Sequence, residues 1–315
     1  VTHDGRLIAC KLQYPDMTTA VNADLAQLKI IFSLYERYDS SIKTNYIHDE
    51  LAARLNEELD YELEARYCKL YGHMLRYEVG VHAPEVIDEL STERLLCSTW
   101  LEGKNILDFK GASAKKRSKI ALNMFRAWYV PLYHYGVIHG DPHLGNYTVR
   151  DDDSINLLDF GCVRVFPPEF VGGVIDLYRA LHDDDRSLAV HAFETWGFKG
   201  LKNEQIDTLL MWAKFLYGPV LEDKVRPIGE ITNGVYGRET AHEVQKRLRE
   251  SGGGVRVPRE FVFMDRAALG LGSVFLHLKA EVNWYRLFNE MIEGFDLADL
   301  RKKQKTTLKK FELGA

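Results

Sequence analysis

One short segment constrains this chain more than any other part: HGDPHLGN at residues 139–146, followed by LDFG at 158–161. The residues between these motifs have the pattern of two short strands joined by an acidic turn, which predicts a hairpin. Such a hairpin brings Asp141, Asn146 and Asp159 close together in space. Carboxylate and amide oxygens are the ligands that a divalent cation carrying phosphates prefers. The sequence therefore predicts a metal and phosphate site at this hairpin.

The composition is that of an ordinary globular protein. The 315 residues are enough for one large domain or two lobes, and the net charge of −5 argues against a general nucleic-acid binder, so no nucleic-acid partner is expected. No apolar run approaches the roughly 20 residues of a membrane-spanning helix. The four cysteines show no CxxC spacing, which is typical of a reducing compartment without disulfides or a zinc site. We expect a cytoplasmic protein or one peripheral to an inner membrane.

The hydrophobic periodicity predicts a small lobe of strands and helices followed by a larger helical lobe. The first lobe is predicted at residues 1–102 and the second at 103–315. The predicted elements begin with a strand at 6–14 and two long helices in 18–77 with a break near 40–45. Two strands at 81–90 and 93–103, joined by a turn, follow. After 105 the chain is predicted to be mostly helical apart from the hairpin, with a helix stop and a flexible link at 251–255.

A two-lobed order suits phosphoryl transfer. A protein-kinase-like site uses a catalytic-loop Asp, an Asn five residues later and the Asp of a D-F-G turn, and Asp141, Asn146 and Asp159 occur in that order at those offsets. Such a site also needs a lysine on a strand of the first lobe, and IACKLQY supplies Lys11.

The lysine of such a site is held by a glutamate on the next long helix. The spacing of residues alone does not choose among the glutamates of EELDYELEA, which are Glu57, Glu58, Glu62 and Glu64.

In these motifs the sequence resembles the UbiB-type, or aarF-domain, atypical kinases linked to quinone biosynthesis. ACKLQYPD is similar to their lysine strand, EELDYELEA to their helical carboxylate motif, and HGDPHLGN with LLDFG to their catalytic and metal loops. The resemblance extends from the first residues to at least Phe170. It implies an α+β, two-lobed protein-kinase-like fold with a small strand and helix N-lobe and a large helical C-lobe.

The resemblance also implies roles for individual residues. Lys11 corresponds to the phosphate-binding lysine and Glu64 to its ion-pair partner, and both are counted as catalytic. Asp141 corresponds to the catalytic-loop acid, and Asn146 and Asp159 to the metal ligands. The expected cofactors are ATP or ADP with Mg²⁺, or with Mn²⁺.

Further residues are assigned to nucleotide binding together with Lys11. These residues are Glu58, Ser98, Thr99, Trp100 and Leu101. The family also carries a K-x-G-Q motif and an alanine-rich loop upstream of the lysine strand, and neither occurs in this chain. We therefore expect the N-lobe to be truncated at its start, and Glu58 to face the missing segment.

The phosphate acceptor is predicted not to be a protein. Only CVRVF separates Gly161 from PPEF, where a helix is predicted to begin, so a peptide-docking activation segment does not fit. The position two after Asp141, often lysine in protein kinases, is His143. A small molecule, a lipid-linked substrate or water is expected instead, and the resemblance implies ATPase activity coupled to quinone-lipid handling.

Three other hypotheses stay open beside the kinase or ATPase. An H-x-D-x-H pattern at 139–143 is compatible with a metallohydrolase. A small-molecule phosphotransferase of the aminoglycoside or choline type also uses an H-x-D-x₄-N loop and a later Asp. A non-catalytic nucleotide-sensing scaffold would control lipid enzymes through its nucleotide state.

Two features concern partners, and each has two interpretations. The basic end of the chain, from Asp296 to Ala315, could contact an anionic membrane surface or remain a solvated tail. The apolar segments MWAKFLYGPVL, LGSVFLHL and NWYRLF could line a lipid groove or form ordinary core. Quinone-precursor lipids and quinone-biosynthesis enzymes are the other expected partners.

Overall fold

The chain divides into two compact units, and its short strands and many helices give the predicted α+β class. The smaller unit comprises Val1–Gly72, Ala83–Leu101 and Asp159–Cys162, and the larger unit comprises His73–His82, Glu102–Leu158 and Val163–Ala315. The lobe boundary after residue 102 stays a prediction. The residues that the computed structural model describes are 1–38, 45–141, 143–228, 242–244, 246–247 and 258–314.

We number the helices and strands in chain order. The helices are α1 (Met17–Tyr38), α2 (Asn45–Glu58), α3 (Tyr61–Met74), α4 (Ala114–Tyr135), α5 (Pro168–Asp183), α6 (Arg186–Thr195), α7 (Asn203–Tyr217), α8 (Arg259–Leu278), α9 (Trp284–Ile292) and α10 (Leu297–Lys310). The strands are β1 (Ile8–Leu12), β2 (Val81–His82), β3 (Leu95–Thr99), β4 (Lys104–Asn105), β5 (Val137–His139), β6 (Tyr147–Val149), β7 (Ile155–Leu157), β8 (Val163–Val165), β9 (Arg226–Pro227) and β10 (Glu281–Val282).

The smaller unit contains an antiparallel pair of β1 and β3, in which Lys11 lies opposite Leu96 and Cys10 opposite Cys97. The prediction of one helix from about residue 45 to 77 is wrong, because the helix is interrupted between the end of α2 and the start of α3. Asp60 causes the new start: its side chain accepts the backbone N–H of Leu63 at 2.8 Å, as an N-cap does. The break predicted near 40–45 falls largely outside the described residues.

The strand predicted within 93–103 is confirmed as β3, whereas the strand predicted over 81–90 is wrong. Only β2 forms there, and it pairs in parallel with β7 in the larger unit. A 3₁₀ helix at Asp88–Leu90 follows, and Val86 makes a single bridge to Ser98. Strand propensity does not show that residues 83–90 make only one bridge to β3. The reason is that strand pairing depends on residues that are distant in sequence.

The larger unit contains the predicted hairpin, in which β6 and β7 pair antiparallel with Tyr147 opposite Leu157. Its sheet has the strand order β2-β7-β6-β4. Helix α4 ends at Tyr135, and Gly136 caps it with a left-handed φ of 65°, so that the chain turns there into β5. Strand β5 pairs with β8, so that His139 lies opposite Val163. This pairing positions the start of the HGDPHLGN loop.

The later helices complete the larger unit. Helix α5 begins at Pro168, as predicted from PPEF. Helix α10 packs against α4 and α5, where Gln304 donates to the carbonyl oxygens of Tyr135 at 3.0 Å and Phe166 at 2.9 Å. The link predicted at 251–255 lies outside the described residues. Among the helices described, none has the length and apolarity that crossing a bilayer would require.

Candidate active site

Lys11 is the centre of a charged cluster in the smaller unit, which we call the lysine cluster and which consists of Lys11, Glu64 and Asp159. The Lys11 ammonium donates to both carboxylate oxygens of Glu64, at 2.9 and 2.8 Å, and to Asp159 Oδ2 at 3.2 Å. Its nitrogen also lies 5.3 Å from the ring centre of Tyr61. The predicted ion pair between Lys11 and Glu64 is therefore confirmed.

The position of Glu64 on α3 explains why this glutamate, and not another glutamate of EELDYELEA, contacts Lys11. Because α3 starts after Asp60, its inward face carries Tyr61, Glu64 and Cys68, all of them buried. Glu64 is only 3% exposed, whereas Glu58 lies on the exposed surface near the end of α2. The helix phase thus points the buried carboxylate at Lys11.

The electrostatics of the lysine cluster follow from burial and pairing. Burial raises the pKa of Glu64, the nearby Asp159 raises it further, and the attraction of Lys11 only partly opposes them. Burial alone would lower the pKa of Lys11, but attraction and hydrogen bonds to Glu64 and Asp159 outweigh it and raise that pKa. Two carboxylates facing one ammonium leave the cluster with net negative charge.

This arrangement predicts that Lys11→Met lowers the free energy of unfolding by an amount that depends on pH. Without Lys11 the pKa of Glu64 should rise further, and a group with a raised folded pKa loses its stabilising contribution as pH rises through that value. The free energy of unfolding should fall by about 1–2 kcal/mol at pH 7.5, less than for a fully buried pair because Lys11 is partly exposed. The deficit should shrink towards pH 5, as measured by urea denaturation.

Lys69→Met is the matched control, because it removes the exposed pair between Lys69 and Asp88 in the same unit. It should cost less than about 1 kcal/mol at either pH. A deficit of Lys11→Met that is equal at pH 5 and pH 7.5 would contradict the assignment of Glu64 as the titrating partner.

The LDFG turn holds Asp159 in place. Its Oδ1 accepts the backbone N–H of Gly161 at 3.0 Å, while the Phe160 backbone hydrogen-bonds Glu64. The Phe160 ring is buried and lies 5.3 Å from that of Tyr71 on α3. This packing fixes the turn, and Asp159 keeps a side-chain exposure of 37%. The carboxylate is therefore both positioned and accessible.

Asp141 and Asn146 form a second contact, in the larger unit, which we call the loop pair. Asn146 Nδ2 donates to Asp141 Oδ2 at 2.8 Å, so its amide oxygen remains as the acceptor that a cation could use. The hydroxyl of Tyr147 donates to the Asp141 backbone oxygen at 3.2 Å. The predicted closeness of Asp141 and Asn146 is confirmed, and that of Asp159 to them stays a prediction.

The two histidines of HGDPHLGN have roles within the loop. His139 is buried, with its ring 5.8 Å from Trp128 and 6.1 Å from Tyr147. The Nδ1 atom of His143 accepts the backbone N–H of Gly145 at 3.1 Å. Within the described ranges, no group of three His, Cys, Asp or Glu side chains could hold a metal ion.

The residues assigned to the nucleotide lie at the end of β3. Ser98 is opposite Ala9 and Thr99 opposite Ile8, and the Trp100 backbone N–H donates to Leu7 at 3.2 Å. The Trp100 side chain is 52% exposed. Their role in binding stays a prediction, as does that of Glu58.

Two contacts of these clusters were not foreseen from the sequence. Tyr61 lies near the Lys11 ammonium, and its position one turn before Glu64 on α3 was the available signal. Tyr147 holds the Asp141 backbone and also accepts from Trp128 Nε1 at 3.2 Å. The sequence signal for Tyr147 was the alternation of buried and exposed side chains along β6, which buries Tyr147 and Val149.

Comparisons with known proteins agree with these motifs. Atypical kinase coq-8, mitochondrial, of Caenorhabditis elegans is 26% identical over 203 residues, which cover 63% of this chain and 27% of that protein. AarF domain-containing protein kinase 1 of Mus musculus is 28% identical over 188 residues, covering 58% of this chain and 36% of that protein. The match therefore spans about a third or less of these relatives.

A solved structure shares the fold. Rv3197 of Mycobacterium tuberculosis, in complex with erythromycin, matches with a TM-score of 0.70 at 22% identity, over 94% of this chain and 73% of that chain. The profile of the ABC1 atypical kinase-like domain matches residues 1–192, which is more than half of the chain. The fold and the family resemblance predicted from the motifs are both confirmed, and the chain belongs to the ABC1 atypical kinase-like family.

Proposed function

We propose that this chain is an ATP-dependent atypical kinase or ATPase with a site for a magnesium–nucleotide complex. The observation that supports this most is the lysine cluster, in which a buried Glu64 orients Lys11 through two hydrogen bonds. A lysine held in this way presents a localised positive charge suited to phosphate oxygens. Family membership supports a phosphotransferase-like enzyme.

The proposed metal ligands are the carboxylate of Asp159 and the amide oxygen of Asn146. Both are hard oxygen donors, which suit Mg²⁺ or Mn²⁺. The ion would supply neutralisation of the phosphate charge. Asp159 is accessible and held by Gly161, and the Asn146 oxygen is set by the donation of its nitrogen to Asp141.

Asp141 is proposed to orient the attacking hydroxyl or water and to accept its proton. The hydrogen bond from Asn146 and the contact of Tyr147 with its backbone hold the carboxylate in one orientation. Glu58 and the residues Ser98, Thr99, Trp100 and Leu101 are proposed to contribute to binding of ATP or ADP.

The acceptor is proposed to be a small molecule, a lipid-linked substrate or water. Helix α5 starts at Pro168, only a few residues after Gly161, and β8 occupies half of the interval. That leaves little chain for a peptide-docking segment. The family's link to quinone biosynthesis favours a quinone-precursor lipid, and quinone-biosynthesis enzymes are the proposed protein partners.

Peripheral contact with an inner membrane is proposed through α10, with the protein on the reducing side. The helix buries Leu300, Thr307 and Leu308 and leaves a basic surface. The exposed basic residues on it are Arg301, Lys302, Lys303, Lys305, Lys309 and Lys310. Arg301 pairs with Glu169, so the lysines carry most of the attraction to anionic lipid.

The direct test is the response of the chain to nucleotide. Saturating MgATP at about 100 times its Kd should raise the free energy of unfolding by about 2.7 kcal/mol, and chelation of the metal should remove most of this gain. Labelled ATP should be turned over, measured alone and with lipid vesicles or small aminoalcohols. Absence of both stabilisation and turnover would contradict the proposal.

The same measurement separates the alternatives. Phosphate transfer to an aminoalcohol would indicate a small-molecule phosphotransferase of the aminoglycoside or choline type. Stabilisation by MgATP without turnover under any condition would indicate a nucleotide-sensing scaffold.

A further inference from the structure

An apolar cavity of about 140 Å³ lies in the larger unit, between α4, α7, α8 and α9. None of the described residues that line it carries a charge. It shares no residue with the lysine cluster or the loop pair. Residues of the three apolar segments, for which the sequence allows either a lipid groove or ordinary core, line this cavity.

One wall of the cavity is aromatic. Phe125, Tyr129 and Tyr133 recur at every fourth position of α4 and therefore share one face of that helix. The Tyr129 ring lies 4.4 Å from Phe125 and is stacked at 5.8 Å on Tyr133. Trp284 continues the wall, with its ring centre 5.9 Å from that of Phe125 and 4.7 Å from that of Phe275. Such ring faces and edges favour another ring as their neighbour.

Gly272 on α8 leaves part of the space unfilled. A Cβ atom built at this position meets no other atom within 4 Å. Glycine inside a helix is less stable than alanine, and protein cores normally fill space of this size. The missing side chain therefore keeps open a volume that most other residues would occupy.

The polar groups of the cavity are neutral hydroxyls. The Tyr217 hydroxyl donates to the Val174 carbonyl at 2.9 Å, and Tyr129 and Tyr133 line the cavity beside it. Burial raises the pKa of Tyr129 to about 12 and that of Tyr133 well above its usual value, so both remain protonated. A neutral ligand is favoured, since a buried charge would have no counter-ion here.

We propose that this cavity binds a neutral molecule built on one apolar ring or a small fused ring. Its volume is close to that of an engineered apolar cavity of about 150 Å³ that binds benzene or xenon. The volume does not accommodate a long acyl chain. The aromatic wall favours a ring, and the tyrosines that line the cavity suit a ring that carries a single hydrogen-bonding group.

Benzene, indole and xenon are the probes, applied to the chain without nucleotide, so that the result does not depend on the proposed kinase activity. Benzene and indole should raise the unfolding temperature, and xenon should give a saturable shift in ¹²⁹Xe NMR. Gly272→Leu should fill the space and weaken indole binding at least tenfold by calorimetry. Gly272→Ala should weaken it less, because one methyl group fills less of the cavity.

Gly72→Leu is the matched control. Gly72 is also a helical glycine whose added Cβ meets nothing within 4 Å, but it is exposed on α3 and does not line the cavity. Its variant should bind indole like the parent chain, with folding of each variant checked by circular dichroism. Failure of all three probes to bind the parent chain, or equal binding by Gly272→Ala and Gly272→Leu at parental affinity, would overturn the proposal.

Discussion

Asp141→Asn is expected to lower ATP turnover by about 10²–10⁴-fold while nucleotide affinity stays nearly unchanged, because a positioned general base contributes about that much to a rate. The amide has the same shape as the carboxylate but cannot accept the proton. Asn146 can still hydrogen-bond the remaining side-chain oxygen, as it does at 2.8 Å in the parent chain. The proposed metal ligands are untouched, so binding should persist.

Steady-state turnover and a separate binding titration distinguish the rate effect from the affinity effect. Asp151→Asn is the control, since Asp151 is exposed in the hairpin turn and pairs with Lys104 at the surface. That control should turn over ATP at the parental rate. An equal loss of affinity and rate in Asp141→Asn would make Asp141 a binding residue.

Asp159→Asn is expected to remove most of the stabilisation by MgATP. An amide lacks the negative charge that a divalent cation prefers, and Asp159 is the proposed ligand in the lysine cluster. The Gly161 N–H can still donate to the substituted side chain, so the turn should remain folded. Thermal unfolding with and without MgATP measures the effect.

Two comparisons sharpen this test. Asp88→Asn changes an exposed carboxylate of the same unit, paired with Lys69, and should keep the full response to MgATP. Titration of the Asp159→Asn chain with nucleotide in the absence of metal should show the weak affinity that the parent chain has under the same conditions. Stabilisation by MgATP that is unchanged in Asp159→Asn would count against Asp159 as a metal ligand.

The motifs were predictable because they depend on local spacing. Strand β1, the β6–β7 hairpin and the start of α5 follow from patterns within a few residues of chain. The choice of Glu64 needed the family resemblance, since four nearby glutamates were available. The structure explains it through Asp60, which starts α3 afresh and sets the helix phase that buries Glu64.

The sequence by itself determined the order and spacing of Lys11, Asp141, Asn146 and Asp159, and with them the family. Only the tertiary structure decided that residues 81–82 pair with β7, and that Gly272 borders an aromatic cavity. The physical reason is the range of the interactions. Turns, caps and motif spacings depend on neighbours along the chain, whereas strand partners and cavities depend on side chains that folding brings together from distant segments.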